Sequence, residues 1–265
     1  MIKKLSYAYS VLIFAFLYAP IAVLMVFSFN TLKSRAQWGG FTFKWYVSLF
    51  QDAEIMGALY NTITIALLSS AIAVVIGTIA AVGIHAMRTK MKKLFLNVTY
   101  LPMLNADIVT GVSMLLLFSF IGLNLGYMSL LIAHVTFNIP YVILSVLPKL
   151  QQLDNHTYEA AQDLGAGPVE AFFKVILPEI MPGIVTGFLL AFTMSIDDFV
   201  ISFFTAGPGV STLSITIYSM ARKGIKPEIN ALSTLMFIVV LALLLIINLR
   251  SSKDKNQKKR IEDIH

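Results

Sequence analysis

The sequence predicts an all-α integral membrane protein with six transmembrane helices. Of its 265 residues, 57% are hydrophobic and only 13% are charged, whereas a soluble domain carries about 25% charged residues. A helix needs about 20 mostly apolar residues to cross a bilayer. Six runs meet that requirement, with approximate limits 8–29, 60–85, 95–121, 127–147, 182–204 and 229–249. We therefore expect residues 1–265 to form one transmembrane domain.

The basic residues predict how this domain is oriented. Six spans place both termini on one side, and if that side is the cytoplasm, most Lys and Arg lie in cytoplasmic segments. These are Lys3, Lys4, Arg88, Lys90, Lys92, Lys93, Lys149, Lys174, Arg250, Lys253, Lys255, Lys258, Lys259 and Arg260. The positive-inside rule favours this orientation, so the net charge of +6 indicates membrane topology and not nucleic-acid binding. Residues 148–181 are then a cytoplasmic loop, and 250–265 a basic tail that contacts anionic lipid headgroups.

The first apolar run is expected to be an uncleaved span. It extends from Tyr7 to about Phe29, which is longer than the roughly 7–15-residue core of a cleaved signal peptide. The outer loop that follows, 30–59, is rich in aromatic residues, and Trp and Tyr prefer the membrane surface. Residues 42–50 are expected to form a short helix there, and anchoring is favoured over substrate binding.

Several of the later spans carry small, polar or helix-breaking residues. In the second span, small residues recur at every fourth position, a spacing that lets helices approach closely; they are Ser69, Ala73, Gly77 and Ala81. The third span contains Pro102 and Asp107. In the fourth span, beside Pro140, a polar stripe either lines a path or forms hydrogen bonds between helices; it consists of His134, Asn138, Tyr141 and Ser145.

Three carboxylates fall inside predicted spans, where charges are costly and usually functional. Counted along straight helices at about 1.5 Å per residue, Asp107 lies about 20 Å from the inner edge of its span. Asp197 and Asp198 lie about 21–22 Å from the edge of theirs. All three are therefore expected at similar depth, somewhat outward of the membrane midplane.

Asp198 is the carboxylate expected to line a transport path. Adjacent helical residues point about 100° apart, and Asp198 falls on a stripe of small and polar residues, whereas Asp197 falls on a bulkier one. Acidic residues along a path suit a cationic substrate. Tyr100, seven residues before Asp107 and expected on the same helical face, and Tyr141 would add cation–π contacts. The alternative for these carboxylates is a structural role, in which they pair with a neighbouring subunit or cap a broken helix.

The polar stretch 159–178, between two apolar runs, is expected to form a helix, a break and a second helix. Asp154 or Asn155 suits the N-cap of the first helix. Gly165 suits the left-handed position just past its end, and Pro168 suits the first position of the next. The second helix is strongly apolar, which indicates that something packs against this loop.

The spacing of this stretch resembles the loop by which permease subunits of bacterial ABC importers contact their ATPase. The matching residues are Glu159, Ala160, Ala161, Gly165, Leu177 and Pro178. Val175 stands where Ile is more usual. The resemblance implies that the stretch is a coupling helix docking into a groove on a cytoplasmic ATPase, with Glu159 as its charged contact.

Nearly the whole chain resembles the second permease subunit of the spermidine/putrescine importers. The matching blocks are Ser28-Phe29-Asn30, Trp38 with 40–46, 107–109, 134–140, 195–198, Gly207-Pro208, 217–220, Pro227-Glu228 and 230–232. Asn105 and Ala106 precede Asp107 where this family usually has Ser-Pro. The resemblance implies a MetI-like permease fold and a polyamine substrate.

The resemblance also implies the partners of the chain. These are a sister permease subunit, two ATP-binding subunits and an extracytoplasmic polyamine-binding protein. ATP and Mg would be bound by the ATP-binding subunits, so this chain needs no cofactor and no metal of its own. The chain has no cysteine, and we find no phosphate-binding loop, metal-ligand cluster or nucleophile triad, so it is not expected to be an enzyme.

Two alternatives remain open. An ABC importer for iron or thiamine would share the 159–178 pattern, whereas buried aspartates would not suit an importer of anions. An ion-coupled secondary transporter would use Asp107 and Asp198, but such proteins often contain inverted repeats, which we do not find.

Overall fold

A computed structural model describes residues 2–33, 37–153, 155–223, 227–239 and 241. The predicted basic tail 250–265 and most of the second half of the predicted sixth span lie outside these residues. The described part is largely helical, which confirms the all-α class. Its helices are α1 Ile2–Phe27, α2 Lys44–Gln51, α3 Ala53–Ala86, α4 Thr89–Leu104, α5 Asp107–Phe120, α6 Tyr127–Gln151, α7 Asn155–Asp163, α8 Pro168–Ala171, a π-helix Phe172–Ile176, α9 Leu177–Asp197, α10 Val200–Thr205, α11 Leu213–Lys223 and α12 Pro227–Val239.

Four helical stretches in the described residues are long and apolar enough to cross a membrane: Tyr9–Phe27, Ala53–Ala86, Tyr127–Gln151 and Pro168–Asp197. The pair α4 and α5 would make a fifth crossing if it is a single bent span. The predicted sixth span begins as the apolar helix α12. The chain is therefore a multi-pass membrane protein.

The predicted third span is not a straight helix. The α4 and α5 helices meet at an angle of 102°, because Asn105 and Ala106 are both extended, with ψ angles of 148° and 136°. Two successive extended residues cannot continue an α-helix. The straight helix from which the depth of Asp107 was estimated is therefore wrong; Asp107 instead occupies the first turn of α5.

The helix found at the predicted fifth span, 182–204, begins before the apolar run and ends before its predicted limit. One helix of 30 residues, Pro168–Asp197, begins in the polar loop and includes the π-helix. It ends at Asp197, because Asp198 has extended angles (φ −64°, ψ 123°), and a short helix, α10, begins at Val200. The continuous helix assumed through 182–204 is wrong, and the stripe through Asp198 is divided between α9 and α10.

Glycine allows α6 and α9 to approach closely. A Cβ on Gly183 would lie 2.9 Å from the Ser145 carbonyl oxygen and 3.2 Å from the Val146 Cα. A Cβ on Gly77 of α3 would likewise lie 2.7 Å from the Val142 Cβ. The small residues predicted to pack α3 against its neighbours are buried, as expected: Ser69, Ala73, Gly77 and Ala81.

Two units are recognised within the chain, Met1–Met56 with Ser219–His265 and Gly57–Tyr218. In the first unit, the predicted surface helix is present as α2. Trp45 of α2 is buried and donates its indole N–H to the carbonyl of Asn30. Trp38, Phe41, Phe43 and Phe50 are exposed, and Phe41 and Phe43 pack on Phe29.

We expect Gly183→Ala to loosen the contact between α6 and α9. Its Cβ would meet backbone atoms that cannot rotate away, and overpacking of this kind costs about 1–3 kcal/mol. Gly83→Ala is the matched control, since Gly83 also lies within a helix but has no atom within 4 Å of an added Cβ. Thermal unfolding of the purified chain in detergent should show a lower midpoint for Gly183→Ala only. Equal midpoints for the two variants would contradict this packing.

Candidate functional site

Asp198 occupies the break between α9 and α10, where it caps α10. Its Oδ1 accepts from the backbone N–H of Ile201 at 3.2 Å, and its Oδ2 from that of Ser202 at 2.7 Å. Aspartate is a preferred N-cap because its oxygens satisfy the free N–H groups of the first turn. Its side chain is only 7% exposed. The structural alternative considered for Asp198, capping a broken helix, is therefore present.

His134 of α6 joins the two sides of this break. Its Nδ1 lies 2.6 Å from Ser195 Oγ in α9, and its Nε2 lies 3.0 Å from Ser202 Oγ in α10. Nε2 is also 3.6 Å from the Asp198 Oδ2. The imidazole is almost completely buried, so it belongs to the helix contact and not to an open path. The sequence indicated a polar stripe through His134 but not this central position.

The same network reaches α3. Ser195 Oγ lies 3.3 Å from Ser69 Oγ, which accepts from Asn138 Nδ2 at 3.2 Å. The predicted path residue Asn138 has no exposed surface, and its Oδ1 is buried without a hydrogen-bond partner. In this conformation Asn138 lies between α3 and α6 and is not accessible to a substrate.

Asp107 and Tyr141 lie on elements that pack near the break. Asp107 is exposed in the first turn of α5, and the Tyr141 hydroxyl lies close enough to the Asp107 carboxylate for a coulombic interaction. Helix α5 meets α10 where a Cβ on Gly111 would come within 2.9 Å of the Phe204 ring. The structure thus brings together the segments that carry Asp107, Tyr141 and Asp198.

The other two predicted path residues are placed differently. Tyr100 is exposed on α4, and because the chain bends between α4 and α5, the prediction that Tyr100 shares a helical face with Asp107 is wrong. Asp197 is exposed as the last residue of α9, in contrast to the nearly buried Asp198.

The polar loop around 159–178 contains the predicted helix, turn and helix. Gly165 has a φ angle of +89°, and two backbone hydrogen bonds close the turn, from Gly165 to Gln162 and from Ala166 to Ala161. This pattern is a Schellman motif, which ends a helix on a left-handed residue. Pro168 begins α8, as predicted. Asp154 and the side chain of Asn155 lie outside the described residues.

The loop presents a face of apolar side chains that none of the described residues covers. Leu164 is 91% exposed, Val169 70% and Phe173 59%. Glu159 is exposed beside them on α7, with its Oε2 3.7 Å from His156 Nδ1. Ala160 is exposed and Ala161 half-buried. Exposed apolar side chains rimmed by polar residues mark an interaction surface.

The opposite side of the loop is fixed to the helical core. Ala171 is fully buried, and Leu177 packs against the core cluster between α3, α6 and α9. The π-helix Phe172–Ile176 ends where the Leu177 N–H bonds to the Phe172 carbonyl. Because Pro178 follows and clashes with the carbonyl four residues earlier in a regular helix, the wider π turn accommodates it.

Comparison with known proteins identifies relatives of the chain. Residues 73–252 match the family described as binding-protein-dependent transport system inner membrane component. The spermidine/putrescine transport system permease protein PotC of Haemophilus influenzae is 37% identical over 94% of this chain and 97% of its own length. The putrescine transport system permease protein PotI of Escherichia coli is 41% identical over 84% of this chain and 82% of its own.

Solved structures share the fold. A bacterial ABC transporter involved in the import of the acidic polysaccharide alginate matches with a TM-score of 0.71 and 20% identity, over 94% of this chain and 96% of the other. The inward-facing methionine ABC transporter MetNI matches with a TM-score of 0.60 and 18% identity, over 75% of this chain and 96% of the other.

Proposed function

Because the chain belongs to the family of binding-protein-dependent transport system inner membrane components, we propose that it carries polyamines, spermidine or putrescine, through the membrane as one half of an ABC importer. It is a permease subunit and not an enzyme. The observation that carries the substrate class is the 37% and 41% identity, over most of the chain, to permeases named for these two polyamines.

The carboxylates near the break suit such a substrate. Polyamines are polycations at neutral pH, and a carboxylate binds an ammonium group through a charge-assisted hydrogen bond. Asp198 and Asp107 supply the negative charge, and Tyr141 supplies a ring for cation–π contact. Asp197, Tyr100 and Asn138 belong to the same path in this proposal and reach it in another conformation, since alternating access repacks the helices.

The partners follow from the family. A sister permease completes the path, two ATP-binding subunits bind ATP and Mg, and an extracytoplasmic binding protein delivers the polyamine. With the termini in the cytoplasm, as the basic residues favour, the 159–178 loop faces the ATP-binding subunits. Leu164, Val169 and Phe173 form the docking face, with Glu159, Ala160 and Ala161 beside it.

Coupling in this proposal uses the continuous helix Pro168–Asp197. Displacement of the docked loop moves this helix, whose Leu177, just before Pro178, packs against the helical core and whose last turn adjoins Asp198. A difference in docking free energy between two conformations of the ATP-binding subunits then shifts the permease between its own two states.

We expect Asp198→Asn to abolish most polyamine uptake while the chain stays folded. Asparagine keeps only one of the two oxygens that cap α10 and loses the charge, and the loss of a charge-assisted hydrogen bond should lower uptake by about tenfold or more. Asp198→Ala loses the cap as well and should cost about 1 kcal/mol of stability. The measurement is uptake of labelled spermidine and putrescine by the reconstituted complex, with ATP hydrolysis and thermal unfolding followed in parallel.

The pair of variants separates the two roles of Asp198. Normal uptake by Asp198→Asn together with impaired Asp198→Ala would leave the residue with the cap alone. If the unaltered complex carries neither polyamine but transports iron or thiamine, the importer assignment stands and the polyamine substrate is rejected.

We also expect Gly165→Ala to reduce the uptake obtained per ATP hydrolysed. Alanine at a φ of +89° costs about 1–2 kcal/mol. This strain should distort the turn that joins α7 to α8. Gly167→Ala is the matched control, because Gly167 has an ordinary φ of −66° and no atom within 4 Å of an added Cβ. Equal coupling ratios in the two variants would argue against the loop as the coupling element.

A further inference from the structure

We propose that His134 is a positioning residue for transport: it fixes the break between α9 and α10 and thereby holds the Asp198 carboxylate in place. The inference rests on the proposed function, in which Asp198 contacts the substrate. His134 itself has 1% of its side chain exposed, so it cannot be part of the substrate-contacting surface in this conformation.

The break needs an external support. Asp198 and Phe199 belong to neither helix, and α10 has only six residues, far fewer than a helix needs to be stable alone. The position of α10 therefore depends on tertiary contacts. Its far end is held by Ser129 of α6, whose hydroxyl donates to the Thr205 carbonyl at 2.7 Å. Its near end is held by Asp198 and His134.

His134 contacts both sides of the break with one rigid ring. Ser195 lies three residues before Asp198, at the end of α9, and Ser202 lies four residues after it, in α10. A neutral imidazole has one N–H donor and one acceptor nitrogen. One serine hydroxyl therefore donates to the ring and the other accepts from it, and the distance between the two serines is set by the ring.

The effect of His134 on Asp198 passes through Ser202. The separation of 3.6 Å between His134 Nε2 and Asp198 Oδ2 is too long for a direct hydrogen bond. Ser202, however, donates its backbone N–H to Asp198 Oδ2 at 2.7 Å while its hydroxyl contacts the imidazole. If Ser202 moves, the carboxylate oxygen that it holds moves with it.

The other nitrogen of His134 anchors this unit to the bundle. Ser195 Oγ is within hydrogen-bond distance of both the imidazole and Ser69 of α3, and Ser69 also accepts from Asn138. Helices α3, α6, α9 and α10 thus meet in one buried network. Removal of the imidazole would leave two buried serine hydroxyls without this partner, a costly arrangement in a low-dielectric interior.

The test compares His134→Ala, His134→Gln and His85→Ala in the reconstituted complex, with uptake normalised to the amount of assembled complex. His85 is the matched control, since it is another helix histidine and its Nδ1 has no hydrogen-bond partner. We expect His134→Ala to lower uptake by about tenfold. His134→Gln should retain most of the activity, because its amide also offers a donor and an acceptor, and His85→Ala should be unaffected.

A distance measurement provides a readout that does not depend on uptake. The chain contains no cysteine, so Met181→Cys in α9 and Phe203→Cys in α10, both at exposed positions, give two defined spin labels once the partner subunits are cysteine-free. Double electron–electron resonance should show one narrow distance distribution with His134 or His134→Gln. With His134→Ala the distribution should broaden or shift.

Each result supports or overturns the inference. Loss of uptake together with a changed distance distribution supports it, as does a His134→Ala effect that nearly vanishes when Asp198→Asn is already present. An unchanged distance distribution in His134→Ala overturns it, whatever the uptake. If Asp198→Asn transports normally while His134→Ala still alters the distance, the substrate role of Asp198 fails and the positioning of the break stands.

Discussion

A helix that breaks inside a membrane must satisfy the hydrogen bonds of both its new ends, because hydrocarbon offers no water to do so. The buried polar network around His134 is arranged about the break at Asp198 and Phe199. Asp198 supplies two acceptors to the free N–H groups of α10. His134 joins Ser195 and Ser202 across the gap. Without these side chains α10 would not keep its position, because a helix of six residues is too short to be stable alone.

The helix that ends at this break begins in the polar loop. The 30 residues of Pro168–Asp197 carry Val169 and Phe173 of the exposed apolar face, the π turn, and Ser195 of the polar network. A helix transmits displacement along its axis because every residue is tied to the next turn. The π turn before Pro178 is the exception, since it interrupts the regular bonding where the helix passes from loop to core.

The sequence predicted features that arise from local chemistry and missed those that arise from tertiary contacts. Gly165 and Pro168 have backbone preferences strong enough to mark the turn and the helix start by themselves. The two breaks, at Asn105 and at Asp198, lie inside runs whose apolar composition continues on both sides, so hydropathy gave no sign of them. Straight-helix geometry then missed the bend before Asp107 and could not decide between the path and the capping role considered for Asp198. The burial of Asn138 depends on its partner Ser69, distant in the sequence, and no local pattern reveals such a pair.

The two breaks have a common chemistry that joins the structural role of the aspartates to their proposed role in transport. Asp107 lies in the first turn of α5, and Asp198 caps α10, so each carboxylate meets the positive end of a helix dipole. An ionised carboxylate has about four lone-pair sites, and the two N–H groups of α10 occupy only part of those on Asp198. The oxygens that organise the break therefore retain the capacity to accept an ammonium group, so capping the helix and binding a polycation are compatible tasks for one residue.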